Sequence, residues 1–146
     1  KVDTDFEEQM RVFKAQAFIA EEFKRPLVIH CVKAYNEVFE IHQKLHPEMP
    51  WIMHGYRGNA QITQLLGKYG IFFSFGKSLF DDNSKSIESL RYLPMEKIFF
   101  ETDEFDGDVV HIYEKAAILK NVSLEILKIE VWNNFNRIES SWISRF

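Results

Sequence analysis

Two of the five histidines and one acidic cluster occupy positions where chemistry could be done. His30 ends the apolar run Leu27-Val28-Ile29, His54 ends Trp51-Ile52-Met53, and Glu101-Thr102-Asp103 follows Ile98-Phe99-Phe100. Short continuous apolar runs of this kind read as strands covered on both faces of a parallel sheet. In such sheets ligands gather beyond the carboxyl ends of the strands, where these residues lie. Imidazole nitrogen and carboxylate oxygen suit zinc, manganese or a similar divalent ion, and strand ends hold such groups more rigidly than loops do. A lone histidine at a strand end is usually a hydrogen-bonded structural residue. Two at equivalent ends, with a carboxylate from a third strand, balance that reading evenly against a metal or catalytic one. Ser74 to Gly76 stand at the corresponding end of the run that begins at Ile71.

Other reactive side chains point elsewhere. His42 and His46 are one helical turn apart, a spacing compatible with metal binding, but they lack the intervening glutamate of a zincin helix, and a solvated face is expected for both. His111, after Asp106 and Asp108, is expected on a surface helix. Cys31 follows His30 and should face the opposite side of its strand, in packing. Glu101 reads either as an interior residue or as a partner of the site residues, Asp81-Asp82 as loop decoration, and Arg57 either as a phosphate clamp or as half of a surface salt bridge.

The elements that must position these groups alternate between two periods. Thr4-Asp5-Phe6-Glu7 reads as a capping box, followed by an apolar stripe of Phe6, Met10, Phe13, Ala17 and Ala20 that Pro26 stops. Ala34, Val38, Ile41 and Leu45 mark a second helix, broken around Pro47 and Pro50. Gly58-Asn59 opens a third helix, with Ile62, Leu65, Leu66 and Tyr69, which Gly70 ends. After the run Ile71 to Phe75 comes a short helix from Ser84 to Leu90, closed near Pro94. A helix from about Asp108 to Leu119 and a last one capped by Ser123, with Leu124, Leu127, Val131 and Phe135, complete the chain. Four strands alternating with helices imply a parallel sheet with right-handed crossovers, either a small doubly wound sheet or half of a (β/α)8 barrel. A full barrel takes ~250 residues, more than the 146 here. A Rossmann-like sheet should open on a glycine-rich turn, which is missing. The chain begins on a helix, as though a strand should precede it, and half a barrel fits better.

Composition narrows the class further. With 46% hydrophobic and 27% charged residues the chain reads as one soluble globular domain, and its 14 Phe, five Tyr and three Trp supply a substantial core and argue against disorder. A formal charge of −4 offers no broad basic surface, so any nucleic-acid contact needs a local site. The single cysteine excludes an intramolecular disulfide framework. No membrane span or signal sequence stands out, and a cytoplasmic protein is the default expectation.

Taken in order, Ile29-His30, Trp51-Ile52-Met53-His54-Gly55-Tyr56-Arg57-Gly58, Phe73-Ser74-Phe75-Gly76, Leu93-Pro94 and Glu101-Thr102-Asp103 resemble the TatD family of metal-dependent hydrolases, many of them deoxyribonucleases. The resemblance extends to Phe6, Gln9, Phe13 and Gln16 near the start and to Asn134-Phe135 near the end. It implies a (β/α)8 TIM barrel of which the parallel strands five to eight, with their flanking helices, are present as the C-terminal part. It also implies two divalent ions (Mg, Mn or Zn) in the complete protein, with His30 and His54 as ligands of one and Asp103 as a ligand of the other. Two ions ~3.5–4 Å apart would polarise a phosphodiester and activate water, while Asp103 would orient the nucleophile or accept its proton. The family's His-x-His pair and strand-four Glu have no counterpart here, so a polypeptide beginning at Lys1 is expected to be inactive or nearly so. Glu104-Phe105-Asp106 stands where the family often has a small residue and a proline. Tyr56-Arg57-Gly58 replaces a commoner Phe-Ser-Gly.

The resemblance implies DNA or a small phosphodiester as substrate. Two other readings are a noncatalytic barrel-derived scaffold and a metal-dependent amide or lactone hydrolase, since one fold and ligand set serve several reactions. Half a barrel exposes two strand edges, which invites pairing with another copy. The isolated chain is therefore expected to form a dimer or larger assembly unless a complementary half accompanies it. Light scattering tests this, and a well-folded monomer would contradict it.

Overall fold

The structure, a computed structural model, describes residues 5–103 and 105–143, with side chains through residue 140. Six helices and four strands alternate: α1 (Phe6–Glu22), β1 (Leu27–His30), α2 (Tyr35–Leu45), β2 (Trp51–His54), α3 (Ala60–Leu66), β3 (Ile71–Phe75), α4 (Lys85–Tyr92), β4 (Ile98–Phe100), α5 (Val109–Lys120) and α6 (Leu124–Ile143). All strands are parallel, in the order β1-β2-β3-β4. A doubly wound sheet reverses its strand order where its ligand binds. Here each strand adds beside the last, so right-handed crossovers lay the helices on one face. This is the winding of a barrel segment.

The helix boundaries follow local capping chemistry. Asp5 caps α1 by accepting a hydrogen bond from the Glu7 amide at 3.3 Å, whereas Thr4 of the expected capping box lies outside the described residues. Asn59 caps α3 and Ser84 caps α4 in the same way. The α3 helix stops at Leu66 with Gly67 as its cap, before the expected Gly70, because the chain tightens into turns that return it to β3. Asp108 caps α5, and the Ser123 hydroxyl accepts from Ile126 at the start of α6.

Strand alternation divides the sheet's side chains. Trp51, Met53, Ile71, Phe73, Phe75 and Ile98 lie on the helix-covered face and are almost completely buried. Each large apolar group removed from water there contributes about 1.5–3 kcal/mol. Phe13 of α1 meets Trp51 edge to face at 5.5 Å, and Ala17 is fully buried beside it. Buried Asn134 donates from Nδ2 to the carbonyls of Met95 and Ile98 at 2.8 and 2.9 Å, tying α6 to the start of β4. The opposite face carries Val28, Ile52, Phe72 and Phe99. Here the expectation of strands covered on both sides is corrected: Val28 is 62% exposed. Burial on both faces requires a layer on each, and the described residues place helices on one. The interior strand β3 is nonetheless covered, since Phe72 packs on the Phe99 ring at 5.6 Å and beneath the Lys97 ammonium at 5.1 Å. No helix among the described residues is long and apolar enough to cross a membrane.

His42 also departs from expectation. It is buried, not solvated, and stands edge-on to Trp51 at 4.9 Å and to Tyr69 at 5.9 Å. The Trp51 indole fills the space beneath that turn of α2 and draws the imidazole into the core. His46, its partner in the spacing, ends α2 exposed with a left-handed φ of 47°. Burial holds the His42 pKa below its ordinary value, nearby His46 lowers it further, and Glu21 opposes both. A histidine kept neutral in the fold stabilises fully above its unfolded pKa of about 6.5, and that stability is lost as pH falls from there through the folded value. Urea denaturation should show stability falling below pH 6.5 by up to about 1.4 kcal/mol per pH unit from this residue. His42→Leu should flatten the slope; an unchanged slope would remove His42 as its source.

Candidate active site

The alternation that buries Met53 and Phe73 among helices turns their neighbours toward the open face. His30 and His54 are direct register partners at the ends of β1 and β2, with ring centroids 5.7 Å apart. Ser74 of β3 shares that face, and Glu101, just past β4, reaches across it. The Glu101 carboxylate gathers three donors from two other strands. Oε1 accepts the Gly55 amide at 2.8 Å, while Oε2 lies 2.7 Å from His54 Nδ1 and accepts the Ser74 hydroxyl. Glu101 is thus a part-buried carboxylate that partners His54. Glu101 at Nδ1 orients the His54 ring so that Nε2 faces outward, toward Asp103.

Two backbone approaches make this cluster possible. Gly55 turns out of β2 with φ +58°, a conformation that L side chains rarely adopt. Gly76 passes so near the end of β4 that a Cβ there would lie 3.0 Å from the Glu101 carbonyl oxygen.

Asp103 lies on the outward side of His54, with Oδ2 3.2 Å from Nε2. It too has a positive φ, 35°, at the turn after β4; non-glycine backbone in this region costs about 1–3 kcal/mol and gathers at functional sites. Two ligands each about 2.0–2.2 Å from a single zinc-like ion, at tetrahedral or octahedral angles, lie roughly 3–3.5 Å apart. The separation of Nε2 from Oδ2 matches that span, and the donor set suits a divalent ion. Ligand atoms of His54, Glu101 and Asp103 all fall within 4.8 Å of one another. His30 adjoins this group without entering it. The resemblance separates His54 and Asp103 between two ions; the structure brings them close enough to hold one together.

Arg57 sits exposed in the loop after β2. Its backbone amide donates to the Tyr35 hydroxyl at 3.3 Å, while its guanidinium has no ion-pair partner among the described residues. The surface salt-bridge reading is not realised there. Beneath this loop Ser86 and Ser89 of α4 donate to the carbonyls of Tyr56 and Gly58 at 2.9 and 2.8 Å. The Tyr56 hydroxyl lies 2.9 Å from Thr63 Oγ1. Burial pushes the Tyr56 phenol pKa far above its ordinary value, so it stays protonated as a fixed support. Cys31 is half-buried, with its thiol pKa raised by desolvation, in agreement with packing. His111 and Asp81-Asp82 are exposed, and Glu104 lies outside the described residues.

The fold defined by this sheet is shared with known hydrolases. A TatD homologue from Escherichia coli, YjjV, superposes with a TM-score of 0.81 at 19% identity, covering 94% of this chain and 60% of its own. The TatD related DNase family matches residues 1–140, and the chain belongs to that family. The human 3'-5' RNA nuclease TATDN2 is 34% identical over 70% of this chain, which spans 14% of that protein. The deoxyribonuclease Tat-D of Schizosaccharomyces pombe is 30% identical over 86% of this chain, which spans 53% of it. As with the Schizosaccharomyces pombe enzyme, the chain spans little more than half the length of four further curated relatives, all described as metal-dependent hydrolases.

The role of Ser74 was not visible beforehand; the signal was its two-residue offset from Phe72, which places it on the face of His54. Removing the shared acceptor should be measurable. Glu101→Ala leaves the Gly55 amide and the Ser74 hydroxyl without partners and should cost about 1–3 kcal/mol in urea denaturation. It should also abolish the downfield proton signal of a hydrogen-bonded His54 Nδ1–H. Retention of that signal would show that Glu101 does not orient the ring.

Proposed function

We propose that this chain contributes the C-terminal barrel strands and part of the metal site of a TatD-type hydrolase that cleaves phosphodiester bonds in nucleic acid. The observation that carries this reading is the bridging of His54 between Glu101 and Asp103, with Nε2 and Oδ2 spaced as two ligands of one ion. His54 and Asp103 would hold a divalent ion, with His30 as the adjoining ligand. When bound, such an ion supplies an activated water and neutralises charge on the phosphate.

The chain's own residues perform the remaining tasks. Glu101 fixes the His54 ring so that Nε2 presents a lone pair without reorganisation. Asp103 holds its carboxylate at the mouth of the site, where it orients a nucleophilic water and accepts its proton. Arg57, which forms no ion pair among the described residues, donates to a phosphate oxygen. An unpaired guanidinium beside the metal ligands favours an anionic phosphodiester over a neutral amide or lactone. It also supplies the local positive charge that a chain of formal charge −4 needs.

Single-stranded DNA and RNA, a small phosphodiester, an amide and a lactone should be assayed with Mg2+, Mn2+ and Zn2+, using the protein in its native full-length context. Cleavage of the nucleic acids is expected, with kcat/KM lowered at least about a hundredfold by His54→Ala or Asp103→Ala. Glu101→Gln should cost about 10- to 100-fold through the misoriented ring. Undiminished cleavage by the His54 and Asp103 variants would refute the site. Turnover of only the amide or lactone would refute the substrate class.

A further inference from the structure

Beside the metal ligands lies a cavity of about 650 Å3, walled by the loops after β1 and β2 and by the first turn of α4. His30 and Asp103 form part of its rim, so it is continuous with the site already described. Its ionic lining is lopsided. Lys33, Arg57 and Lys85 all border it, whereas Asp103 is the lone carboxylate among its lining residues. All three cations are exposed, and none is ion-paired among the described residues. Elsewhere on this surface some exposed basic residues pair with carboxylates, Arg11 with Glu8, Lys44 with Glu40 and Lys128 with Glu125. Lys14, Lys24, Lys68 and Arg91 form no ion pair among the described residues. What distinguishes Lys33, Arg57 and Lys85 is that they border one cavity.

The three cations come from separate segments, each held in place. Lys33 has a left-handed φ of 62°. The Arg57 loop is pinned by the Tyr35 hydroxyl and by the serines of α4. Lys85 begins α4 immediately after its Ser84 cap. Arg57 also borders the small cleft formed with Gly76, Glu101 and Asp103, so the cavity and the metal ligands share this cation. A single phosphate at the ion would need Arg57 alone. Two further cations on the same cavity match an anion with charges repeated along its length.

We infer that this cavity is a binding subsite for the phosphates flanking the scissile bond of a single-stranded nucleic acid, with Lys33 and Lys85 as its phosphate-binding residues. This rests on the phosphodiesterase reading above. It adds that Lys33 and Lys85 hold the strand beyond the cleaved linkage, through backbone charge and not base identity. Lys33 and Lys85 are not among the motif residues that carry the family resemblance; what marks them is that they border the same cavity as Arg57.

The test is a salt series of fluorescence anisotropy with short labelled single-stranded DNA and RNA in EDTA, which reads binding without turnover. Each phosphate neutralised on a single strand contributes about −0.7 to the slope of log K against log salt concentration, so three cations should give a slope near −2. Lys33→Gln with Lys85→Gln should reduce it to about −0.7 and weaken binding at low salt. The paired Lys→Arg variants should retain the slope, as should Lys44→Gln with Lys68→Gln on the surface away from the cavity. An unchanged slope in the first pair, or an equal fall in the surface pair, would overturn the subsite. If the assigned pair lowers the slope while the metal-loaded protein cleaves no phosphodiester, the subsite stands and the catalytic reading fails. Cleavage with an unaltered slope gives the reverse.

Discussion

The site depends on one carboxylate that must satisfy donors from two other strands at once. Glu101, past the end of β4, accepts from the amide of Gly55 and the hydroxyl of Ser74 and lies against the imidazole of His54. Charge-assisted bonds of this kind are stronger than neutral ones and have strict geometry. They act here at the carboxyl edge of the sheet, where the ladder between strands ends and the loops begin. The same contact that closes β2, β3 and β4 together fixes which nitrogen of His54 faces Asp103. Structural and chemical roles meet in one side chain.

The remainder of the molecule makes that arrangement affordable. Trp51, Met53, Phe73 and Ile98 are buried against the helices, and strand alternation then turns His54, Ser74 and Glu101 to the other face. The serines of α4 hold the loop after β2 from beneath, so Arg57 projects from a supported backbone. Gly55, Lys33 and Asp103 all adopt left-handed backbone conformations around the site. Strain gathered there is supported by packing elsewhere in the domain.

Electrostatics follow the same division between the whole chain and the site. The formal charge of −4 opposes a polyanion in general, and some exposed cations are paired with carboxylates. At the carboxyl edge three cations that form no ion pair among the described residues border one cavity. Local arrangement, and not net charge, decides what can approach the imidazoles.

The apolar runs at Leu27, Trp51, Ile71 and Ile98 made the four strands legible, because continuous Val, Ile and aromatic segments bounded by turns have few alternatives. The order of motifs likewise marked His30, His54 and Asp103, since strand ends can be read from the runs that precede them. Sequence could not say that His42 would be drawn under Trp51, because a helical stripe fixes a face but not which neighbour fills the gap behind it. Nor could it choose between the two readings of Glu101 or group Lys33 with Lys85. Those facts depend on distances between residues far apart in the chain, and such distances are set only when the strands come into register and the helices pack. Local periodicity determined which elements form; the convergence of their ends determined which atoms meet.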